Sequence, residues 1–218
     1  MTAPPAGAGG RLGRRPGPKP RLSREQVVAA ALDLGVERVT IGAVAAALGV
    51  APAGLYRYID SRDDLVAAAL EAILAGSPLP PTDRGWRHVL ETEAWTRWRL
   101  LRRYAGLVRR HERRLVTVAA RRMEQLVSGL VELGFDLDAA LLAVDSVLDL
   151  VHDAAEQMAR IYRPDEPGTL SDEMRAALDH YSPPLRAGIE AIVADPEAHV
   201  ARKLAIVLDG IGCRLAPA

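Results

Sequence analysis

Thr40, Tyr56, Tyr58 and Arg62 place a hydroxyl, two phenols and a guanidinium within one short stretch of chain. Groups of this kind hydrogen-bond phosphate oxygens and fix a protein's register on a duplex without reading its sequence. Between them stand Pro52, Ala53 and Gly54, three small residues where a backbone must come close to base edges in a major groove. None of the three offers a side-chain hydrogen bond to a base. That leaves Arg57, with Tyr58, as the base readers. Part of any specificity is then expected from DNA shape and from contacts to thymine methyls. Upstream, Arg14, Arg15 and Lys19 lie in a Pro/Gly-rich segment (residues 1–22) that holds no acid. Too little apolar area is available there to order a chain, so the segment reads as a disordered basic arm. It suits a minor groove, or it is a solubilising tail.

Two further constellations concern a small molecule. Trp95 and Trp98, with Tyr104 and Met123, fall at helical spacings and could line a pocket or form core. Asp145, Asp149, His152 and Glu156 recur at three- and four-residue steps, an acidic stripe suited to a cationic ligand, to arginine partners or to water. His152 and Glu156 alone make too sparse a set for a metal site. Leu141, Val144, Leu148, Val151, Ala155 and Met158 form one a/d-like seam. Val200, Leu204, Val207 and Ile211 form another. Either seam can serve subunit pairing or the chain's own core.

These residues need helices to hold them. Ser23 with Gln26 makes a capping box, and Val27, Ala30, Ala31 and Leu34 give the apolar face of a helix that Gly35 stops. Thr40 caps a second helix, with Ile41, Val44, Ala45 and Leu48 facing inward. Gly49 permits a sharp turn, Pro52 sits in the first turn of a third helix expected to run to about Tyr58, and Asp60 or Ser61 caps a fourth that ends at Gly76. Its apolar stripe is Leu65, Ala69, Ala72 and Ile73. Two short helices joined by a tight glycine-containing turn are the layout of a helix-turn-helix. The Pro-rich stretch 77–85 is the expected boundary between a 23–76 unit and an 84–218 unit. Beyond it the period predicts helices at about 84–103, 105–115, 117–134, 137–161, 182–194 and 196–214. A long connection over 163–182 holds at most one short helix, and no strand is expected. The fold class is all-α: an N-terminal helix-turn-helix domain plus a C-terminal helical bundle.

Along 27–65 the chain resembles the tetracycline-repressor (TetR) family of bacterial transcriptional regulators. The resemblance rests on Thr40, Val44–Ala45, Leu48–Gly49–Val50, Leu55–Tyr56, Tyr58–Ile59, Ser61–Arg62 and Leu65. It continues more weakly to the tetracycline-repressor type of C-terminal domain through Trp86, ELGFDLDAAL at 132–141, SPPLRAGIE at 182–190 and the final apolar helix. Gly42 departs from the family, in which a basic or polar residue commonly stands early in the second helix. The resemblance implies operator binding through Leu55–Tyr56 and Arg62. It also implies a homodimer built from the 137–161 and 196–214 helices, and an effector held in the C-terminal domain. His111 lies near a ligand position of the tetracycline-binding members. The matching position on the 137–161 helix is Asp149, however, and the segment between the domains has no His, which argues against tetracycline itself.

The formal charge of zero conceals blocks of opposite sign. Residues 1–62 carry a net +5, 63–96 a net −4, 97–122 a net +9 (ten Arg against Glu112) and 123–218 a net −10. A nucleic-acid-facing end and an acidic, DNA-repelling end account for that pattern. Cys213 is the single cysteine, which excludes an intrachain disulfide and a cysteine-based zinc site. The N-terminus has no secretory h-region and no apolar run approaches a membrane span, so a cytoplasmic protein is expected. The chain lacks a Gly-rich phosphate loop, GxSxG and HExxH, which argues against an enzyme; no cofactor or metal is expected. The expected function is a homodimeric repressor that binds palindromic operator DNA and is released by a small molecule. A ligand-independent DNA-binding regulator or activator is the alternative, and a helical protein-interaction module stands behind it.

Overall fold

The computed structural model describes residues 22–163 and 166–217. Arg14, Arg15 and Lys19 lie outside them. Four helices open the described chain: α1 (Arg24–Leu34), α2 (Ile41–Ala47), α3 (Pro52–Leu55) and α4 (Arg62–Gly76). Polar side chains start α1, α2 and α4 as the sequence predicts, and Pro52 opens α3. Ser23 accepts from the Gln26 amide and Gln26 returns a bond to Ser23, Thr40 accepts from Ala43, and Ser61 accepts from Asp64. Each such cap is worth roughly 1 kcal/mol. Gly35 stops α1 at a φ of 86°, and Gly49 turns the chain between α2 and α3 at 65°, both in the left-handed region. Helix α3 is shorter than expected. Regular helix ends at Leu55, and residues 56–58 form a tight turn in which the Tyr58 amide donates to the Leu55 carbonyl. That turn carries Ile59 into the core, where it is 1% exposed.

A loop leads to α5 (Trp86–Glu132), whose 47 residues are not straight. At 1.5 Å per residue, a straight helix would set Glu93 and Arg122 about 43 Å apart. Arg122 Nη2 instead lies 2.6 Å from Glu93 Oε2. The reversal centres on Tyr104, whose φ of −123° and ψ of 20° leave the helical region. The expected break between 103 and 105 is this kink. The second expected break, near 116, is absent, because Leu115–Val116–Thr117–Val118 contains no Gly or Pro to stop a helix. Helix α6 (Leu137–Ile161) follows after a short turn, with Asp136 as its cap.

The 163–182 stretch departs from the expectation of no strand. A two-stranded antiparallel hairpin, β1 (Tyr162–Arg163) and β2 (Glu166–Leu170), pairs Tyr162 with Leu170. Strands this short carry too few residues to show alternation. The short α7 (Asp172–Leu178) comes next, then α8 (Pro183–Ala194) and α9 (Pro196–Arg214).

Two hydrophobic clusters organise these elements. One joins α1, α2, α3 and α4 through Val27, Ala31, Val44, Leu55, Ile59 and Leu65, and takes in Tyr104 and Leu115 from α5. The other joins both limbs of α5 to α6 and α9. Val144, Leu148, Val151 and Ala155 of α6, and Val200, Leu204 and Ile211 of α9, are buried against each other and against α5 within a single chain. Val207 packs beside them, half-buried. Within one chain both stripes pack into its own core. An a/d stripe serves whichever helix it meets first, and the turn at Asp195 returns α9 onto α6. Each buried Val or Leu there contributes roughly 1.5–3 kcal/mol, an upper figure. Only Leu141 of the proposed seam residues faces outward, at 48% exposure.

Candidate nucleic-acid interface and ligand cavity

The residues selected for DNA contact sit on one continuous stretch from the start of α2 to the start of α4. Thr40, Pro52, Ala53, Tyr56 and Arg57 are exposed, and Gly54 and Tyr58 are half-buried. Tyr56 leaves 55% of its surface in solvent beside Leu55, which is fully buried. Arg62 behaves differently from its sequence reading. Its Nε donates to the Val39 carbonyl at 2.7 Å and its Nη2 to the Glu37 carbonyl at 3.3 Å. The guanidinium therefore secures the α1–α2 loop, the segment that presents Thr40.

Sequence reasoning missed the charges that hold this surface in place. Asp64 is only 6% exposed. Arg24 donates to it through two nitrogens at 3.0 and 3.1 Å, and also to the Tyr58 carbonyl. Arg114, from the second limb of α5, reaches the same carboxylate at 2.8 Å. Arg24's hydrogen bond, and Arg114's behind it, hold the Asp64 carboxyl far below the usual carboxylate range. At the far end of α4, Arg122 donates to the Ser77 and Pro78 carbonyls while pairing with Glu93, which also accepts from Arg97 at 2.9 Å. Glu93, Arg97 and Arg122 are all buried. Burial alone would raise the Glu93 pKa; the hydrogen bonds from Arg122 and Arg97 outweigh it and the value falls. Asp64 carried a sequence signal, an acid three residues after the Ser61 cap. Arg97 and Glu93 stand four residues apart, a helical spacing the sequence does show, but Arg24, Arg114 and Arg122 carried no signal, because their acidic partners are distant in sequence.

The small-molecule candidates separate. Trp98 is 3% exposed and packs into the core, with Trp95 and Met123 half-buried against it. Asp145 and Asp149 face solvent. His152 and Glu156 line a cavity of about 170 Å³ between α5 and α6, with Leu101, Ala105, Val108, Arg109, Glu112, Ala155 and Ala159. The small side chains of Ala105, Ala155 and Ala159 leave that space. Partial burial lowers the His152 pKa and Arg97's charge lowers it further, against a pull from Asp149 and Glu156. His111 stands next to Glu112 on α5, buried, with no hydrogen-bond partner for its Nε2. Among the described residues, no three His, Cys, Asp or Glu are grouped to hold a metal ion, and no helix is long and apolar enough to cross a membrane.

Comparison with known proteins gives consistent matches. Residues 28–69 match the family described as bacterial regulatory proteins, tetR family, and residues 77–215 match the tetracyclin repressor-like C-terminal domain. The HTH-type transcriptional repressor DrrR1 of Streptomyces coeruleorubidus is 33% identical over 146 residues, which is 61% of this chain and 54% of that protein. The match thus spans about half the length of that relative. Among solved structures, a TetR transcriptional regulator from Streptomyces coelicolor superposes with a TM-score of 0.60 at 21% identity, over 88% of this chain and 98% of that one. The S. coelicolor TetR family protein ActR, in complex with actinorhodin, gives 0.57 at 18% identity, over 89% and 98%. At these identities the structures establish the shared fold.

Proposed function

The chain belongs to the tetR family of bacterial regulatory proteins, with a tetracyclin repressor-like C-terminal domain, and from that premise we propose that it is a repressor. In this reading it binds palindromic operator DNA as a homodimer and is released by a small molecule. The observation that carries the DNA half is the exposed Thr40, Pro52, Ala53, Tyr56 and Arg57 surface on a locked helix-turn-helix. Tyr56 and Thr40 are suited to phosphates, and Arg57 and Tyr58 to base edges. The basic arm with Arg14, Arg15 and Lys19 adds positive charge at the same end of the chain. The units proposed are 23–76 for DNA and 84–218 for dimer and ligand. A transcription regulator of this kind works in the cytoplasm.

Subunit pairing falls to the outward faces of α6 and α9. Leu142 of α6 is 52% exposed between Asp138, Asp145 and Asp149, and Ile206 of α9 is 73% exposed beside Arg202. Exposed Asp209 stands three residues after Ile206, so the two faces offer apolar centres flanked by charges of both signs, which a two-fold axis can pair. The cavity beside His152 and Glu156 is the proposed effector site. ActR binds actinorhodin in the corresponding fold, which supports a small organic ligand here. A ligand that prefers a head spacing unsuited to DNA weakens DNA binding by the same factor that DNA weakens its own binding.

Tyr56→Ala tests the reading. The variant is expected to keep its melting temperature and dimer mass while losing specific DNA binding in a gel shift. Retention of wild-type affinity would refute the assigned surface.

A further inference from the structure

We propose that Asp64, Arg24 and Arg114 form one positioning unit that sets the DNA-reading turn 56–58 and ties it to the bundle. The proposal rests on the reading of 40–62 as the DNA surface. A carboxylate offers about four acceptor sites, and in Asp64 four donors use them. They are two nitrogens of Arg24, Nη1 of Arg114 and the backbone amide of Asp60. The Arg24 nitrogen Nη1 is shared, because it also donates to the Tyr58 carbonyl at the end of the turn that presents Tyr56 and Arg57. The position of that turn therefore depends on where Arg24 sits, and Arg24 sits where Asp64 holds it.

Arg114 brings the bundle into the same arrangement. It lies two residues beyond Glu112 and five beyond Arg109, both of which line the α5–α6 cavity. On a helix, five residues span about 7.5 Å. Arg114 also approaches Glu71 on α4 at 3.9 Å, so it bridges two points of that helix. A shift of the second limb of α5 moves Arg114, drags the Asp64 carboxylate, and loosens Arg24 from Tyr58. The depressed Asp64 pKa agrees with a carboxylate held charged by two guanidiniums. Neither arginine needs to touch DNA. Arg24 and Arg114 are positioning residues.

The three tryptophans, Trp86, Trp95 and Trp98, all lie on the first limb of α5 and none lies in residues 22–76. Their emission therefore reports the bundle alone. A duplex selected from a random pool by the wild-type protein would be titrated with two readouts: anisotropy of a label on the DNA, and tryptophan emission. The wild type is expected to bind and to change its emission on binding. Arg24→Gln is expected to lose at least tenfold in affinity with an unchanged slope of log affinity against log salt, since a lost phosphate contact would reduce that slope by about 0.9. Arg114 is 44% exposed, so Arg114→Gln should fold. It should bind DNA within a few-fold of wild type but lose the emission change, and Arg114→Lys should restore part of it. The proposal is overturned if Arg24→Gln binds like wild type, if its slope falls by about one, if Arg114→Gln keeps the full emission change, or if wild-type emission does not respond to bound DNA. Failure of the wild type to select or bind any duplex would overturn the DNA reading itself, and this proposal with it.

Discussion

Replacing Glu93 by Leu puts the buried charge cluster to a quantitative test. Glu93 is 1% exposed and, among the described residues, is the acid paired with both Arg97 (6%) and Arg122 (4%). Its removal leaves two guanidiniums in the core without a counter-charge. Breaking a buried pair in this way costs about 3–5 kcal/mol. Arg122 keeps the Ser77 and Pro78 carbonyls as acceptors, which places the cost toward the lower end. For a chain of this size each kcal/mol moves the melting temperature by about 2–4 °C, so the drop should be roughly 6–15 °C. Urea unfolding followed by tryptophan emission measures it directly. The triple variant Glu93→Leu/Arg97→Met/Arg122→Met removes all the charges together and should recover most of the loss. Pro78 is exposed and Ser77 half-buried, so water can take over their carbonyls. A single variant within about 1 kcal/mol of wild type, or a triple variant no better than the single, would mean that Glu93 does not neutralise the buried arginines.

Three other outcomes follow from the same structure. Arg62→Ala should lower the melting temperature as well as DNA affinity, by about 1–2 kcal/mol of stability, because Arg62 holds the Val39 and Glu37 carbonyls; Tyr56→Ala should lower affinity alone. Leu142→Asp with Ile206→Asp should produce folded monomers by analytical ultracentrifugation, whereas Val144→Asp, in the core, should unfold the chain rather than dissociate it. Lowering pH should act in two windows. Asp64 and Glu93 have depressed native pKa values, so their contribution is present above the unfolded carboxylate values near 4 and is lost as pH falls through the lower native ones. His152 is also depressed, so the unfolded chain takes its proton first, and stability is lost as pH falls below about 6.5. Thermal melts between pH 7 and 5 should therefore show a smaller loss for His152→Gln than for wild type.

The legible parts of this molecule are the ones set by neighbours in sequence. Ser23, Thr40 and Ser61 cap their helices because a cap needs only the amide three residues on, and Gly35 and Gly49 turn the chain because the left-handed region favours them. The 137–161 span of α6 was readable by period alone. What sequence left open depends on which surface a helix meets. The Val144–Ala155 and Val200–Ile211 stripes are real seams, but periodicity does not distinguish a partner helix in the same chain from one in another copy. Trp95 and Trp98 read equally as pocket or core for the same reason, and the core took them. Arg62 was recognisable as important, yet its two carbonyl partners lie 23 and 25 residues away. The Glu93–Arg122 and Asp64–Arg114 contacts join residues that only the reversal at Tyr104 and the packing of α4 on α5 bring together.

Recognition of DNA by a symmetric dimer through residues 40–62 leaves a characteristic pattern of protection on a duplex. A footprint of the pure protein on the DNA flanking its own gene, titrated in salt and run beside Tyr56→Ala, tests it most directly. The expected result is a two-fold symmetric footprint with half-sites one helical turn or a multiple apart, a steep loss of affinity as salt rises, and no footprint for Tyr56→Ala. Protection without two-fold symmetry, or a footprint that Tyr56→Ala retains, would contradict it.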